Sequence, residues 1–352
     1  MPHEVPFTDT EVSPQAAFRD GPPRCVALLS GGLDSMLAIR LMQQQQIEVE
    51  ALHFKTMFGC CQDRAGQAAR QLGVRLTVVA PEDDYLDLVR RPRFGYGRGA
   101  NPCVDCRIYM FQRADEFRRQ VGAEFVISGE VLGQRPKSQK RRDLEVIAHH
   151  AGLGELLLRP LSARRLPPTR PEREGWVDRA QLGDFVGRSR QGLIRLARQF
   201  GFPDIPAPSS GCALTDPGFG RKVLDLVRLD PRAAPWDFEL LKIGRHVRHD
   251  PRTKVVVGRN ERENAALDRH YRSAPGDHCA LLVPENFTGP SALVVGDQTD
   301  GGWHFAASLI LRHARKFDPH DARIAAHAAH AQQLLRVAAP PEPRDSAAPP
   351  AG

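Results

Sequence analysis

Two glycines between a buried strand and a helix form the pattern in this chain that most directly suggests chemistry. Residues 30–35 read Ser-Gly-Gly-Leu-Asp-Ser; they follow the apolar run 25–29 and precede a helical pattern over 36–46. Backbone N–H groups in such a turn point inward at the positive end of a helix and can bind phosphate. The pattern is not a Walker loop, because no Gly-Lys-Ser/Thr follows the glycines, and it is not the dinucleotide-binding motif Gly-x-Gly-x-x-Gly. The alternative is a tight turn that binds nothing.

Three cysteines form the second candidate site. Cys103 and Cys106 stand three residues apart at the start of a predicted helix, and Cys212 follows a proline-rich segment, 203–211. A helix N-terminus lowers the pKa of a thiol, and i, i+3 spacing lets both sulfurs face one side. Redox exchange, zinc and iron–sulfur ligation all suit Cys-x-x-Cys. Zinc would need a further ligand, for which His53, His149 and His150 are the candidates.

The remaining cysteines and the overall charge set broader bounds. Cys25, Cys60, Cys61 and Cys279 suit small apolar positions, with an accessory sulfur role left open for Cys60 and Cys61. Seven cysteines without an apolar leader argue against a disulfide scaffold. The sequence has no run of 18 apolar residues, so we expect a cytoplasmic protein without a membrane partner. The net charge of +7 is compatible with a polyanionic partner.

The elements that must position these residues alternate between strand and helix. Strands predicted at 25–29, 49–55, 75–79, 125–128 and 156–158, with helices between them, indicate an α/β fold with a doubly wound parallel sheet. We predict a flexible N-terminal tail over 1–22, this sheet domain over 23–163, and a linker and central segment with Cys212 over 164–235. A small α+β domain follows over 236–316, with strands at 238–247 and 253–258. Residues 317–352 are expected to be a frayed helix and then mostly disordered.

Several motifs together resemble one group of enzymes. Residues 30–35 resemble the pyrophosphate loop of the PP-loop ATPases, of the adenine nucleotide alpha hydrolase-like fold. Gly99-Ala100-Asn101-Pro102-Cys103 resembles tRNA 2-thiouridylases, and Ser128-Gly129-Glu130-Val131-Leu132-Gly133-Gln134 with Ser138-Gln139 resembles tRNA 4-thiouridine synthases. This resemblance covers about residues 24–225. Residues 255–260, Val-Val-Val-Gly-Arg-Asn, look like the core of an NFACT-type RNA-binding domain over 236–316.

The resemblance implies ATP-dependent tRNA thiolation, in which a uridine carbonyl oxygen is adenylated and replaced by sulfur with release of AMP and pyrophosphate. The implied ATP-binding residues are Ser30, Gly31, Gly32, Leu33, Asp34, Ser35, His53, Phe54, Lys55, Gly129 and Glu130. Asp34 would position Mg²⁺ beside the α-phosphate. The implied RNA-binding residues are Lys137, Lys140, Arg141, Arg142, Arg259 and Asn260. For the basic loop 137–142 a solvated surface is the alternative, and for Asn260 it is a helix cap.

The three thiols are expected to converge over the nucleotide. Cys103, Cys106 and Cys212 would hold a 4Fe-4S cluster with one iron left without a protein ligand, which we favour over Zn²⁺; alternatively Cys103 or Cys212 would carry a persulfide. Cys103, Cys212 and Asp34 are the expected catalytic residues. The expected partners are tRNA and a sulfur donor, either sulfide or a persulfide carrier protein, and a homodimer is left open.

Two other function classes remain. One is a PP-loop amidating or ligating enzyme with zinc-bound cysteines that acts on a small molecule, which predicts zinc and no need for tRNA. The other is a non-catalytic RNA-binding adaptor, which predicts ATP binding without AMP release. The intact Asp34 and Ser35 of the loop argue against the adaptor.

Overall fold

The computed structural model describes residues 21–59, 63–81, 83–207, 211–329 and 331–336. These residues form two compact units, the first from 21–54, 63–79 and 108–207, and the second from 55–59, 80–81, 83–107, 211–329 and 331–336. Within the described ranges, no helix has the length and apolar character that crossing a membrane would require.

The strands, in chain order, are β1 Arg24–Leu28, β2 Glu48–Phe54, β3 Arg75–Val79, β4 Phe125–Ser128, β5 Leu157–Leu158, β6 Arg245–Arg248, β7 Thr253–Val257, β8 Cys279–Pro284, β9 Ala292–Gly296, β10 Arg323–Ala328 and β11 Ala331–Arg336. The helices are α1 Leu33–Gln44, α2 Arg64–Leu72, α3 Asp83–Arg90, α4 Cys103–Gln120, α5 Arg141–His150, α6 Arg170–Arg173, α7 Gln191–Gln199, α8 Pro217–Leu229, α9 Pro235–Leu240, α10 Glu261–Arg272 and α11 Asp300–His313.

The first unit is built on a five-stranded parallel sheet in the order β3-β2-β1-β4-β5. Cys25 of the central strand lies in register with Val49 on one side and Phe125 on the other. The strand order reverses at β1, and a sheet of this kind binds ligands at the carboxyl ends of the strands beside that reversal. The predicted α/β fold with a doubly wound parallel sheet is therefore confirmed.

The core of the first unit lies between this sheet and α1. Met36, Ile39 and Met42 of α1 are fully buried and pack with Phe125 and with the face of α7 that carries Ala197. The apolar run before residue 30 thus becomes the central strand, and the apolar residues after it anchor the helix. The turn at residues 29–32, between β1 and α1, is therefore anchored in the core at both ends.

The second unit contains a six-stranded antiparallel sheet in the order β11-β10-β8-β9-β7-β6. Helix α11 packs on one face, where Trp303 and Ile310 meet Val255 of β7. Helix α10 packs on the other face through Leu267, which contacts Val256. An antiparallel sheet covered in this way is the predicted α+β module.

Two predictions for the second unit are wrong. Residues 235–240 form α9 where the predicted strand 238–247 should begin, because Pro235 opens a helix whose Phe238 is fully buried. Residues 323–336, expected to belong to a frayed helix or to be disordered, form the hairpin β10–β11. Ile324 and Leu335 of this hairpin are buried against the α11 side of the sheet, which makes the strand conformation favourable.

Candidate functional site

The residues of the predicted phosphate turn, Ser30–Ser35, curl at the start of α1 and are called the phosphate loop below. Gly31 has a φ of 74°, and Gly32 is the extended N-cap residue of α1. The Ser35 hydroxyl donates to the Gly32 carbonyl oxygen over 2.8 Å and accepts from the Ser30 N–H over 3.3 Å. The Gly32 N–H donates to the Ser30 hydroxyl oxygen over 3.4 Å. The side chains thus fold the loop on itself at the N-terminus of α1, where the positive end of the helix can attract an anion.

Two glycines let other backbone segments approach this loop. A Cβ atom on Gly31 would lie 2.5 Å from the carbonyl carbon of Arg64, and a Cβ atom on Gly129 would lie 2.5 Å from both the carbonyl carbon of Asp34 and the Ser35 nitrogen. Both separations are far below van der Waals contact. Only glycine fits either position without displacing backbone, so the segment after β4 rests directly on the loop.

Asp34 is partly buried in the first turn of α1. Burial raises the pKa of its carboxyl group, while a hydrogen bond from the Gln134 side chain and the positive charges of Arg190 and Arg135 act in the opposite direction. One carboxylate suffices for Mg²⁺ that is also bound by ATP phosphates, so the donor chemistry of Asp34 fits the predicted metal.

Other predicted nucleotide residues have structural partners. His53 Nδ1 hydrogen-bonds to the Leu29 carbonyl oxygen over 2.9 Å, and Phe54 is buried. Lys55 is exposed. Glu130 is buried and accepts from Arg159 Nε over 2.9 Å. Contact of these four side chains with a nucleotide stays a prediction.

The three candidate thiols, Cys103, Cys106 and Cys212, all belong to the second unit and are called the thiol group below. The Tyr85 hydroxyl lies 3.4 Å from Cys106 Sγ, and the charges of Cys106, Cys212 and Cys103 all act to raise the pKa of Tyr85, after burial as the main cause. The three thiols thus lie near enough to one buried phenol for their charges to act on it, while their convergence on one metal ion or cluster stays a prediction. Their place over a nucleotide stays a prediction.

The backbone around the thiol group is fixed by local contacts. Asn101 Nδ2 donates to Cys103 Sγ over 3.0 Å, while its Oδ1 accepts from Gly99 N. The Ala100 N–H donates to the Leu214 carbonyl oxygen over 3.0 Å, which ties the segment before Cys103 to the turn after Cys212. These contacts join distant parts of the sequence at one place.

The two thiols of the Cys-x-x-Cys pair differ in environment. Burial raises the pKa of Cys106, and the hydrogen bond from Tyr85 and the charge of Arg107 oppose this only in part. Cys103 is half-buried at the first residue of α4. In the part of the chain that the structure describes, no three His, Cys, Asp or Glu side chains are arranged to hold a metal ion. The finding applies to zinc and to iron alike, so ligation of either by the thiol group stays a prediction.

The basic residues predicted to bind RNA fall into two sets. Lys140, Arg141 and Arg142 are exposed at the first turn of α5, and Arg141 Nη2 donates to the Arg165 carbonyl oxygen over 2.8 Å. Lys137 is half-buried in the loop before them.

The other set lies before α10 and has structural partners. Asn260 Oδ1 accepts from the Glu263 N–H over 3.0 Å and so caps the helix, while the Arg259 side chain forms an ion pair with the Glu263 carboxylate. This is the capping alternative described above. A role of either residue in RNA binding stays a prediction.

Four residues of these sites were missed by the sequence analysis, namely Tyr85, Gln134, Arg135 and Arg190. Tyr85 lies in α3, whose Leu86 and Val89 give a short apolar face that could have indicated a helix. Gln134 lies in the segment 128–134, which resembles tRNA 4-thiouridine synthases but was not assigned a contact with Asp34. Nothing in the sequence connects Arg190 with Asp34, since they meet through tertiary structure.

Comparison with protein families gives two separate matches. Residues 22–164 match the family model described as Thiamine biosynthesis protein (ThiI), and residues 244–346 match the NFACT protein RNA binding domain. The second match includes β10 and β11, in agreement with the hairpin described above.

Individual relatives match only in part. The tRNA-specific 2-thiouridylase MnmA of Sulfurimonas denitrificans is 29% identical over 30% of this chain and 33% of its own length. The probable tRNA sulfurtransferase of Thermococcus kodakarensis is 28% identical over 39% of this chain and 36% of its own. The chain thus spans about a third of the length of these curated relatives.

Among solved structures, a 4-thiouridine synthetase in complex with RNA and bound ATP covers 61% of this chain and 53% of its own, at 19% identity and a TM-score of 0.37. The parallel sheet with its phosphate loop therefore lies in the part of the chain that matches the ThiI family, residues 22–164, and the part that matches the NFACT protein RNA binding domain follows at 244–346.

Proposed function

We propose that the protein is an ATP-dependent tRNA sulfurtransferase that forms AMP. The observation that carries the proposal is the presence in one chain of a phosphate loop of backbone N–H groups and three convergent thiols. Phosphate binding alone is common to many enzymes, and so is a pair of cysteines. A third thiol brought to the same phenol from Cys212 favours sulfur chemistry.

The reaction proceeds in two steps. A carbonyl oxygen of uridine, at C2 or C4, attacks the α-phosphorus of ATP, so that an O–P bond forms and pyrophosphate leaves. Hydrosulfide then attacks the activated carbon, and the C–O bond to AMP breaks. Where a persulfide on Cys103 or Cys212 attacks instead, AMP leaves in the same way, and a second thiol of the group must then cleave the S–S bond to the carrier cysteine, which releases the thiolated uridine and leaves a disulfide between the two cysteines. Adenylation is needed because a carbonyl oxygen is a poor leaving group, whereas AMP is a good one.

The residues of the phosphate loop stabilise the first step. The N–H groups of Gly32 and Leu33 bind the departing pyrophosphate at the positive end of α1. Asp34 holds Mg²⁺ together with phosphate oxygens, which spreads the charge that develops on the α-phosphate. Fixed N–H groups need no reorganisation when the charge appears, which is why a loop held on both sides by Gly31 and Gly129 is suited to this step.

The thiol group serves the second step. Cys103, Cys106 and Cys212 would hold a 4Fe-4S cluster, which when bound supplies an iron with an open position for hydrosulfide. Asn101 and Tyr85 keep two of the three sulfurs in place by hydrogen bonds. Tyr85 is itself buried, so its hydroxyl is held at a fixed position beside Cys106.

The RNA partner is supported by two features. The NFACT-type domain belongs to a family described as RNA-binding. In addition, Lys140, Arg141 and Arg142 expose positive charge at the N-terminus of α5, where the helix dipole disfavours cations. Side chains that cost helix stability and remain exposed are suited to contact tRNA phosphates.

The test is nucleoside analysis of tRNA after reaction. Purified protein, reconstituted anaerobically with iron and sulfide, is incubated with tRNA, ATP, Mg²⁺ and sulfide, and AMP and thiolated uridine are measured by mass spectrometry. We expect both products in equal amounts, their loss in Cys212→Ser and Asp34→Asn, and full retention in Cys279→Ala, whose thiol is buried in β8. ATP binding without AMP would favour the adaptor, and AMP formed with a small carboxylate but not with tRNA would favour the ligase.

A further inference from the structure

A cavity in the first unit belongs to neither the phosphate loop nor the thiol group. It measures about 170 Å³ and lies between α5, the edge strand β5 and residues 163–172. Leu144 and Ala148 of α5, Leu158 of β5 and Leu166 give it mostly apolar walls. A cavity of about 150 Å³ can hold one benzene molecule, so a single six-membered ring fits here and a fused purine ring fits less well.

Arg159 supplies the donor groups of this cavity. Its side chain is only 7% exposed; Nε donates to Glu130 over 2.9 Å, and Nη2 donates to the Leu144 carbonyl oxygen over 3.2 Å. Its other N–H groups have no acceptor among the described residues, although Arg159 lines the cavity. A guanidinium group has five N–H donors, and donors without a partner in a buried position are costly. A ligand with an acceptor atom would remove that cost.

The charge around the cavity favours a neutral acceptor. Glu130 already balances the charge of Arg159, and three further carboxylates line the cavity, those of Glu145, Glu155 and Glu172. Arginines pair with the last two, yet Arg159 is the only cation among the described residues that line the cavity. A phosphate or carboxylate group inside would therefore meet like charge, whereas a carbonyl oxygen would not.

Positive charge lies outside the cavity instead. Five exposed side chains form what is called the basic rim below, Lys140, Arg141, Arg142, Arg164 and Arg165. The hydrogen bond from Arg141 Nη2 to the Arg165 carbonyl oxygen joins its two sides. Leu144 lies one helical turn after Arg141, and Ala163 and Leu166 flank the other side, so both parts of the rim adjoin cavity walls. Asp184 balances one of the five charges and leaves the rim basic.

We propose that the cavity holds one unpaired pyrimidine base of the RNA partner, whose carbonyl oxygen accepts from Arg159 and whose phosphates contact the basic rim. A neutral base inside and phosphates outside match this distribution of charge. The described residues that line the cavity include none of the phosphate loop, so this base anchors the RNA and is not the uridine that reacts. The assignment rests on the proposed function only in taking RNA as the partner.

Fluorescence anisotropy of labelled single-stranded RNA with the full chain tests the assignment. The parent should bind oligouridine about tenfold more tightly than oligoadenosine, and Ala148→Leu, which fills the cavity, should abolish this preference without changing the salt dependence. Arg141→Gln and Arg165→Gln should weaken both RNAs alike and reduce the slope of log affinity against log salt by about 0.7 each. The matched controls at exposed positions, Ala265→Leu on α10 and Arg198→Gln on α7, should bind both RNAs like the parent.

Ultraviolet crosslinking of RNA that carries 5-iodouridine locates the base without any substitution. We expect crosslinked peptides from residues 141–148 or 163–172, so the test stays decisive if thermal unfolding shows that Ala148→Leu is not folded. Equal affinity of the parent for the two RNAs would overturn the assignment, as would a preference retained in folded Ala148→Leu or crosslinks confined to other peptides.

Displacement of oligouridine by an equal concentration of free uridine would make the cavity a small-molecule site, which also overturns the assignment. The proposed sulfurtransfer is judged separately, since the uridine preference and the crosslinks can be found when no thiolated nucleoside is formed. Thiolated nucleoside formed by a protein without that preference would contradict the cavity assignment alone.

Discussion

Replacing Gly31 by alanine tests the geometry of the phosphate loop. The φ of 74° at Gly31 costs an L-residue about 1–2 kcal/mol. The added Cβ would also lie 2.5 Å from the carbonyl carbon of Arg64 and 2.6 Å from its oxygen, and overpacking of this kind costs about 1–3 kcal/mol. We therefore expect Gly31→Ala to lower the free energy of unfolding by about 2–5 kcal/mol, out of a typical total of about 5–15 kcal/mol.

Gly73 provides the matched control. Its φ is 66°, yet a Cβ atom there would meet nothing within 4 Å, so Gly73→Ala carries the backbone cost without the overlap. Urea unfolding, with hydrogen exchange of peptides from β1 and α1 to localise the loss, gives the two free energies. ATP titration should show at least a tenfold loss for Gly31→Ala and none for Gly73→Ala. Equal destabilisation of the two variants, with ATP affinity retained in both, would refute the close approach of the loop to Arg64.

Three further predictions concern the second unit. Tyr85→Phe removes the hydrogen bond to Cys106 Sγ, so Cys106 in metal-free protein at pH 8 should be alkylated several-fold more slowly, as measured by peptide mass spectrometry. The control is Tyr96→Phe, which removes a hydroxyl that donates to the Val89 carbonyl oxygen and should leave the alkylation rate of Cys106 unchanged. Burial lowers the pKa of Lys254 to about 8, so its charge destabilises the folded state below that pH, and the free energy of unfolding should rise from about pH 8 to about 10.5. Lys254→Met should add about 2–4 kcal/mol to the free energy of unfolding at pH 7. Urea unfolding of this variant should show no rise between about pH 8 and 10.5. Ile324→Ala should cost about 2–5 kcal/mol and Leu334→Ala, 46% exposed, almost nothing by the same assay; equal effects would contradict the buried face of the hairpin.

The parts of the fold that the sequence predicted correctly are those fixed by local pattern. The strand, glycine pair and helix around residue 31 follow from apolar runs and turn residues within about 20 positions, and the helix predicted to begin at the Cys-x-x-Cys pair is α4. The hairpin β10–β11 was missed because its alanine-rich strands have no strong intrinsic strand preference. They become strands since β8 offers an edge for pairing and α11 covers one face.

The same distinction between local pattern and tertiary structure applies to the site residues. The loop residues and the three cysteines could be named because each stands in a short motif, but the groups that act on them come from elsewhere in the chain. Tyr85 reaches Cys106 from 21 positions away, and the positive charge of Arg190 acts on the Asp34 carboxyl group from a distant part of the sequence. Tertiary structure alone brings such partners together, so one sequence without relatives contains no signal for them.

The unequal environments of Cys103 and Cys106 bear on how sulfur is delivered. A buried thiol with a raised pKa stays protonated at neutral pH, so Cys106 is a poor nucleophile in the metal-free protein. Iron removes that obstacle, because a metal binds the thiolate and displaces its proton. Cys103 lies half-buried at a helix N-terminus, accepts a hydrogen bond from Asn101, and suits a persulfide carrier as well as a ligand. If the thiol group carried only a persulfide, burial of Cys106 beside Tyr85 would serve no purpose in transfer. The raised pKa of Cys106 and its contact with Tyr85 therefore suit a metal ligand better than a nucleophile.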